Sequence, residues 1–312
     1  MSKPCGCGEE VMAVVGVFDG VHRGHRWLLA EASAKATEEG CRLLMVTFGS
    51  HPLEVVRPEA APQMLMSVEE RCEKLRQSAS GRVVVLDFDK AMSRLTAGEF
   101  MKMLRDDYGV TAMYMGFNHR FGSDRLTSTA DYDRIGEGLG LKIFHGEEYR
   151  GVDGSKVSSS KIREALQSGN VEWATWALGR EYRLDGTVVS GQQLGRTIGF
   201  PTANISVDRR RLRPMTGVYA CVATLPGGDE YAAMVNIGSR PTVDAEGASI
   251  TVEANLLDYA GNLYGREISI DFIKKMRDEQ KFDSLDALKG QLATDAMATR
   301  SVIASLPRRS AK

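Results

Sequence analysis

The sequence predicts an α/β chain in two parts: a doubly wound parallel sheet, then an antiparallel β-barrel with a terminal helix. Three observations predict it. Residues 11–169 alternate apolar runs with amphipathic stretches, the β-α rhythm of a sheet covered on both faces. After Gly179 the texture changes to short alternating runs with Gly-containing turns. A length of 312 residues exceeds what one compact core usually serves, so two domains are expected, 1–181 and 182–312.

In the first part the runs at 11–18, 41–48, 83–88, 110–116 and 141–144 read as buried strands. Two of the intervening helices are marked by capping boxes, Ser67-Val68-Glu69-Glu70 and Thr96-Ala97-Gly98-Glu99, in which a hydroxyl and a carboxylate satisfy the free donors of a helix start. In the second part 184–189, 218–225, 231–237, 250–257 and 268–273 read as barrel strands. A last amphipathic helix begins near Ser284, and residues 306–312 read as a solvated tail.

Composition narrows the function. Lys and Arg total 40 against 41 for Asp and Glu, so there is no general attraction to nucleic acid or to an anionic membrane, and any affinity for phosphate must be local. No apolar run approaches the roughly 20 residues that span a bilayer, and no charged start leads into an apolar signal core; a cytoplasmic location is expected. The five cysteines read as reduced thiols. Cys5-Gly6-Cys7 could give two thiolates to a metal, but no second pair follows to complete a structural zinc site.

The chemistry concentrates in a few motifs. The first strand ends in Gly16-Val17-Phe18-Asp19-Gly20-Val21-His22-Arg23-Gly24-His25, directly before a helical pattern. Glycines let backbone approach a ligand, a helix N-terminus offers free N–H groups to phosphate, and histidines three apart can face the same way. The bland alternative is a glycine turn whose histidines cap or face solvent. His51-Pro52 follows the second strand, at the edge where such sheets bind ligands. Val157-Ser158-Ser159-Ser160-Lys161-Ile162-Arg163 opens another helix: one hydroxyl could serve only as an N-cap, or the hydroxyls and Arg163 could hold a triphosphate.

The second part holds no histidine. Its densest motif is Gly195-Arg196-Thr197-Ile198-Gly199-Phe200-Pro201-Thr202-Ala203-Asn204, where Thr202 and Asn204 are hard-oxygen donors that suit Mg²⁺; the alternative is a β-turn with Pro201 at its corner. Glu253 falls inside an apolar strand pattern, so a functional role or a salt bridge, for instance to Arg277, is expected. The basic run Arg209-Arg210-Arg211-Leu212-Arg213 is either a solvated loop or a flap over phosphates.

These residues carry a resemblance. The histidine turn, Thr47-Phe48 with His51-Pro52, the stretch 116–122 and the Ser-rich motif resemble the adenylyltransferase module of bacterial bifunctional riboflavin kinase/FAD synthetases. Gly217-Val218-Tyr219-Ala220, Asn236 to Thr242, Thr251 to Leu257, Leu263-Tyr264-Gly265 and the stretch 277–282 resemble the kinase module of the same enzymes, so nearly the whole chain is covered. Two positions depart from the family pattern: Gly49-Ser50 replaces an acid-Pro pair, and His119 replaces an aromatic residue.

The resemblance implies ATP contacts at Gly16, Phe18, Asp19, Gly20, His22, Gly24, His25 and His51, and at Ser158, Ser159 and Arg163. In the second module it implies them at Gly195, Gly199, Pro201, Thr202 and Asn204. His22, His25 and Asn118 are implied as catalytic in the first module and Glu253 as the base in the second; Thr202 and Asn204 would hold Mg²⁺, and Asn118, Arg277 and Phe282 would meet flavin. The implied reactions are riboflavin plus ATP to FMN, then FMN plus ATP to FAD and pyrophosphate. A chain with one active module, or a flavin-binding regulator, is the rival expectation.

Overall fold

A computed structural model describes residues 10–151, 154–191, 195, 198–240 and 249–307. Cys5 and Cys7, Arg196-Thr197 and Pro241-Thr242 lie outside the described residues. Contacts divide the chain into two compact units, Met1–Ser158 and Ser159–Lys312.

The first unit is a five-stranded parallel sheet in the order β3-β2-β1-β4-β5. Its strands are β1 (Val11–Val15), β2 (Arg42–Phe48), β3 (Arg82–Leu86), β4 (Val110–Met115) and β5 (Lys142–His145). Between them run α1 (Arg23–Glu38), the short α2 (Pro52–Val56), α3 (Val68–Ser78), α4 (Ala97–Tyr108) and α5 (Thr129–Leu139). Strand alternation explains the two-sided burial. Met12 and Val14 of β1 pack with Leu29, Ala32 and Leu75 on the α1 and α3 face, whereas Ala13 and Val15 pack with Phe100, Met101 and Leu104 on the other. Both capping boxes form, with Glu70 N donating to Ser67 Oγ at 3.2 Å and Glu99 N to Thr96 Oγ1 at 3.2 Å. The order reverses beside β1, so the loops after β1 and β4 flank the crevice where sheets of this type bind ligands.

The second unit begins with α6 (Ser159–Gln167) and α7 (Val171–Leu178) and continues into a closed barrel, β10-β7-β6-β11-β8-β9. The strands are β6 (Tyr182–Val189), β7 (Ala203–Ser206), β8 (Gly217–Thr224), β9 (Glu230–Arg240), β10 (Ser249–Leu256) and β11 (Glu267–Arg277). All pairings are antiparallel. Tyr219 and Phe272, each 0 % exposed, meet edge to face with centroids 5.3 Å apart and fill the interior. The last helix, α8 (Leu285–Ala304), is capped by Ser284 Oγ, which accepts from Ala287 N at 3.1 Å. Ala296 of α8 packs with Met234 of β9 and Leu257, so the helix covers the outside of the barrel there.

Two details differ from the sequence expectation. The barrel has a sixth strand, β7, lying where Thr202-Ala203-Asn204 reads as a turn or ligand loop. Its four residues are too few for alternation to declare a strand; their pairing with β6 and β10 makes it one. The basic run is solvated only in part: Arg209 and Arg210 are exposed, Arg210 pairing with Asp208, whereas Arg211 is 6 % exposed and donates to the Arg183 carbonyl and Arg213 donates to the Val207 carbonyl.

Candidate active sites

In the first unit the chain leaves β1 through a turn of unusual backbone. Phe18 has φ of 52°, Gly20 84° and Val21 37°, so two non-glycine residues occupy the left-handed region beside a glycine. This turn delivers His22 to the N-cap of α1, where its Nδ1 accepts from the His25 backbone N–H at 3.2 Å. A neutral His22 therefore carries its hydrogen on Nε2. The rings of His22 and His25 stack with centroids 3.6 Å apart at 17°. Gly24 permits this, because a Cβ there would stand 3.2 Å from the His22 ring. Gly16 likewise leaves room for the ring of Phe18, which meets His25 edge to face at 5.3 Å.

Burial sets the charge state of His25 and His119. Desolvation pulls the His25 pKa well below its ordinary value, with further lowering from His22 and His119, so His25 is neutral at pH 7. His25 Nδ1 is buried without a hydrogen-bond partner among the described residues. His119 is pulled down to about 4, chiefly by desolvation and then by Arg120. His119 thus joins the histidine cluster that the spacing of His22 and His25 already predicts. Asn118 beside it is exposed, in the loop after β4.

Other predicted residues take different positions. Asp19 is 2 % exposed and accepts the Leu65 N–H with both oxygens at 3.0 Å, so its carboxylate ties the turn to the segment before α3. His51 caps α2: its Nδ1 accepts from Leu53 N at 3.2 Å while Glu54 Oε1 accepts from His51 N at 3.1 Å. Ser158 closes the first unit, and Ser159 and Arg163 lie in the opening turns of α6 in the second.

In the second unit strand register builds the site. Glu253 of β10 is the direct partner of Asn204 on β7 and of Asn236 on β9. Direct partners share a face with Cβ atoms about 5 Å apart. The face is the outer one: Asn255 pairs with Met234, which packs under α8, and its amide donates to the Pro201 carbonyl at 2.7 Å. Glu253, two residues away, is half-buried on that outer face, so it is not a core carboxylate as the apolar pattern suggests. Thr202 lies two residues before Asn204, just ahead of β7.

A Cβ built at Gly195 would overlap the Phe200 carbonyl, so that glycine is required by close approach, and one at Gly191 would displace the Asn204 amide. Phe200 N donates to the Gly195 carbonyl at 2.8 Å and closes the loop that Gly199, with φ of 84°, turns. Thr202 and Pro201 also line a cavity of about 490 Å³, with Val188, Leu256, Tyr259 and Asn262 among its other walls. Arg277 does not pair with Glu253 as a structural salt bridge would require. Its guanidinium donates to Asp295 of α8 at 2.8 Å, Asp295 being 4 % exposed, and stands 5.8 Å from the centroid of the Phe282 ring.

A parallel sheet with a histidine turn at its carboxyl edge, followed by a barrel with a hard-oxygen row on its outer face, defines a two-module nucleotide-dependent transferase. A family model for FAD synthetase matches residues 7–161 and one for riboflavin kinase matches residues 178–303. The bifunctional riboflavin kinase/FMN adenylyltransferase of Pseudomonas fluorescens is 37% identical over 294 residues, 94% of this chain and 93% of that protein. That of Escherichia coli (strain K12) is 36% identical over 293 residues, 94% and 92% of the two. A crystal structure of a macrolide-efflux protein from Streptococcus pneumoniae superposes with a TM-score of 0.84 at 30% identity, over 95% of both chains. No helix among the described residues is long and apolar enough to cross a membrane. The chain belongs to the bifunctional riboflavin kinase/FMN adenylyltransferase family, with its FAD synthetase module first and its riboflavin kinase module second.

Proposed function

We propose that the two reactions of this family run at the two sites described above, with named residues in named roles. In the first, the FMN phosphate attacks the α-phosphorus of ATP and pyrophosphate leaves. A phosphate nucleophile is already ionised, so the site must align and neutralise more than it must abstract a proton. His22 and the neutral His25 at the start of α1 are suited to donate ring N–H groups to phosphate oxygens as charge builds up, at the positive end of the helix. Gly16, Phe18, Gly20 and Gly24 shape the turn, Asp19 ties it down, and Asn118 and His119 stand on the neighbouring loop. His51, Ser158, Ser159 and Arg163 keep the ATP-binding role that the resemblance implies.

In the second reaction Glu253 takes the proton of the riboflavin 5′-hydroxyl as that oxygen attacks the γ-phosphorus of ATP, and ADP leaves. The observation that carries the reading is the register pairing of Glu253 with Asn204, a carboxylate beside an amide. The donor set fits Mg²⁺: the Thr202 hydroxyl and the Asn204 amide oxygen are hard-oxygen donors, and Mg²⁺ characteristically takes few protein ligands together with substrate phosphates. Thr202 and Asn204 would hold the ion, whose contribution is to neutralise the phosphates of ATP. The cavity beside Thr202 is suited to the rest of the nucleotide, and Arg277 with Phe282, steadied by Asp295, to the flavin.

The test is a double substitution. His22→Ala with His25→Ala should abolish FAD formation from FMN and leave FMN formation from riboflavin within about twofold, since removing donors of transition-state charge costs one reaction only. Equal loss of both activities in a folded protein would reject the assignment of that turn to a single module.

A further inference from the structure

The turn that carries His22 and His25 and the loop that carries His51 leave neighbouring parallel strands, and one buried side chain grips both strand ends. Arg71, at the end of the first turn of α3, is 1 % exposed. Its Nη1 donates to the Val17 carbonyl at 3.0 Å and its Nη2 to the Phe48 carbonyl. Thr47 Oγ1 donates to the same Val17 carbonyl at 3.0 Å. Burial disfavours the charge on Arg71, and Asp19 is near enough to favour it.

Packing gives no reason for a guanidinium here. A buried cation costs more than an apolar side chain of similar volume, its Nε has no hydrogen-bond partner among the described residues, and Cys72 and Leu75 already supply buried apolar contacts of α3. Its two donors, however, land on two particular carbonyls. Val17 is the residue before Phe18, where the left-handed backbone of the histidine turn begins. Non-glycine residues in that region are strained and persist only where the surroundings hold them. Phe48 is the last residue of β2 and stands three residues before His51. The Asp19 contacts to Leu65 N fasten the far side of the same turn to the segment that leads into α3.

We propose that Arg71 is a positioning residue for adenylyl transfer, clamping the ends of β1 and β2 so that the His22/His25 turn and the His51 loop keep one mutual aim. Arg71 touches no substrate; it acts through the backbone of Val17 and Phe48. The proposal rests on the adenylyl-transfer reading of this edge, and its test separates the two.

The experiment uses the full chain with Arg71→Met, which keeps length and loses both donors, and Arg71→Lys, which keeps charge but cannot fork to two carbonyls. Leu104→Ala is the control: Leu104 is 0 % exposed, in the core on the other face of the sheet from Leu75 of α3. A misplacement of about 1 Å can cost about 100-fold, so Arg71→Met should lower kcat for FAD formation by about 10- to 100-fold while KM for ATP moves by less than about threefold. Arg71→Lys should fall between Arg71→Met and the parent, and riboflavin phosphorylation should be unchanged in both. Leu104→Ala should lose at least as much melting temperature with kcat within about twofold, since a cavity there destabilises without moving the turn.

Near-normal kcat in a folded Arg71→Met protein overturns the proposal, and so does a kcat loss in Leu104→Ala that matches its loss of stability. Should Arg71→Met not fold, a normal kcat in Arg71→Lys overturns it equally. FAD formation that survives His22→Ala with His25→Ala overturns the underlying reading and this proposal with it. An inactive histidine pair together with a normal Arg71→Met overturns the proposal alone.

Discussion

Glu253 is the residue on which the kinase reading turns, and its surroundings make the decisive substitution specific. It stands on the outer face of the barrel between Asn204 and Asn236. The Arg277 that could have made it a structural ion-pair partner is held by Asp295 instead. Glu253→Gln keeps the shape and most of the hydrogen bonding but cannot accept a proton usefully. General-base catalysis contributes about 10²- to 10⁴-fold, so riboflavin phosphorylation should fall by that factor, mainly in kcat, while FMN adenylylation survives. Steady-state kinetics of both reactions, with thermal unfolding of the same preparation, checks it; near-normal kinase turnover in a folded protein removes Glu253 from the mechanism. At this scale the sequence was informative where residues are close along the chain. His22 and His25 are three apart at a helix start, and that spacing alone places them together. Asn236 and Arg71 were not legible, because each acquires its meaning from a partner on another strand or helix.

Elements show the same division between local and tertiary information. Ser67 and Thr96 were readable as helix starts because a capping box is complete within four residues, and Ser284 because its helix pattern begins at once. The strand β7 was not readable. Its residues Ala203–Ser206 form a strand only by pairing with β6 and β10, and that pairing is what sets Asn204 against Glu253. A glycine also stands against the same side chain: Gly191 follows β6, and a Cβ there would overlap the Asn204 amide unless that amide moved. Gly191→Ala should therefore displace Asn204 and raise the Mg²⁺ concentration for half-maximal kinase activity by about tenfold or more, the usual scale for disturbing a support of a metal ligand. Gly290→Ala is its counterpart in α8, where a Cβ meets nothing within 4 Å, and should leave kinase activity unchanged with a slight gain in melting temperature. A magnesium titration of both variants distinguishes them; equal titration curves would show that Asn204 does not need the space that Gly191 leaves.

At the scale of the whole molecule, the near-balance of 40 basic and 41 acidic residues is consistent with two local phosphate sites in a chain without a general electrostatic field. The change of texture after Gly179 marked the start of the barrel closely, since β6 begins at Tyr182. What it could not show is that α6 and α7, which continue the helical rhythm of the first part, pack with the barrel and belong to its compact unit. Helix periodicity reports that a face is buried and is silent on what buries it. The Leu166 carbonyl at the end of α6 accepts from Met215 N at 2.9 Å, and Gly169 between the two helices leaves room for the Lys275 side chain of β11. Val171, Ala174, Ala177 and Leu178 of α7 are at most 2 % exposed. We propose 181/182 as the functional boundary, since every proposed kinase residue lies beyond it and the riboflavin kinase match begins at 178. The boundary of stability lies earlier. A fragment of residues 182–312 should phosphorylate riboflavin, because its site is intact. A fragment of 159–312 should do so with a higher melting temperature, because α7 covers parts of β6 and β11 that the shorter fragment bares, and each large aliphatic side chain kept buried is worth about 1.5–3 kcal/mol. Urea unfolding and kinase assays on both fragments decide this. Equal midpoints would mean that α6 and α7 contribute nothing to the barrel, and a folded but inactive 182–312 would move the functional boundary toward Ser159.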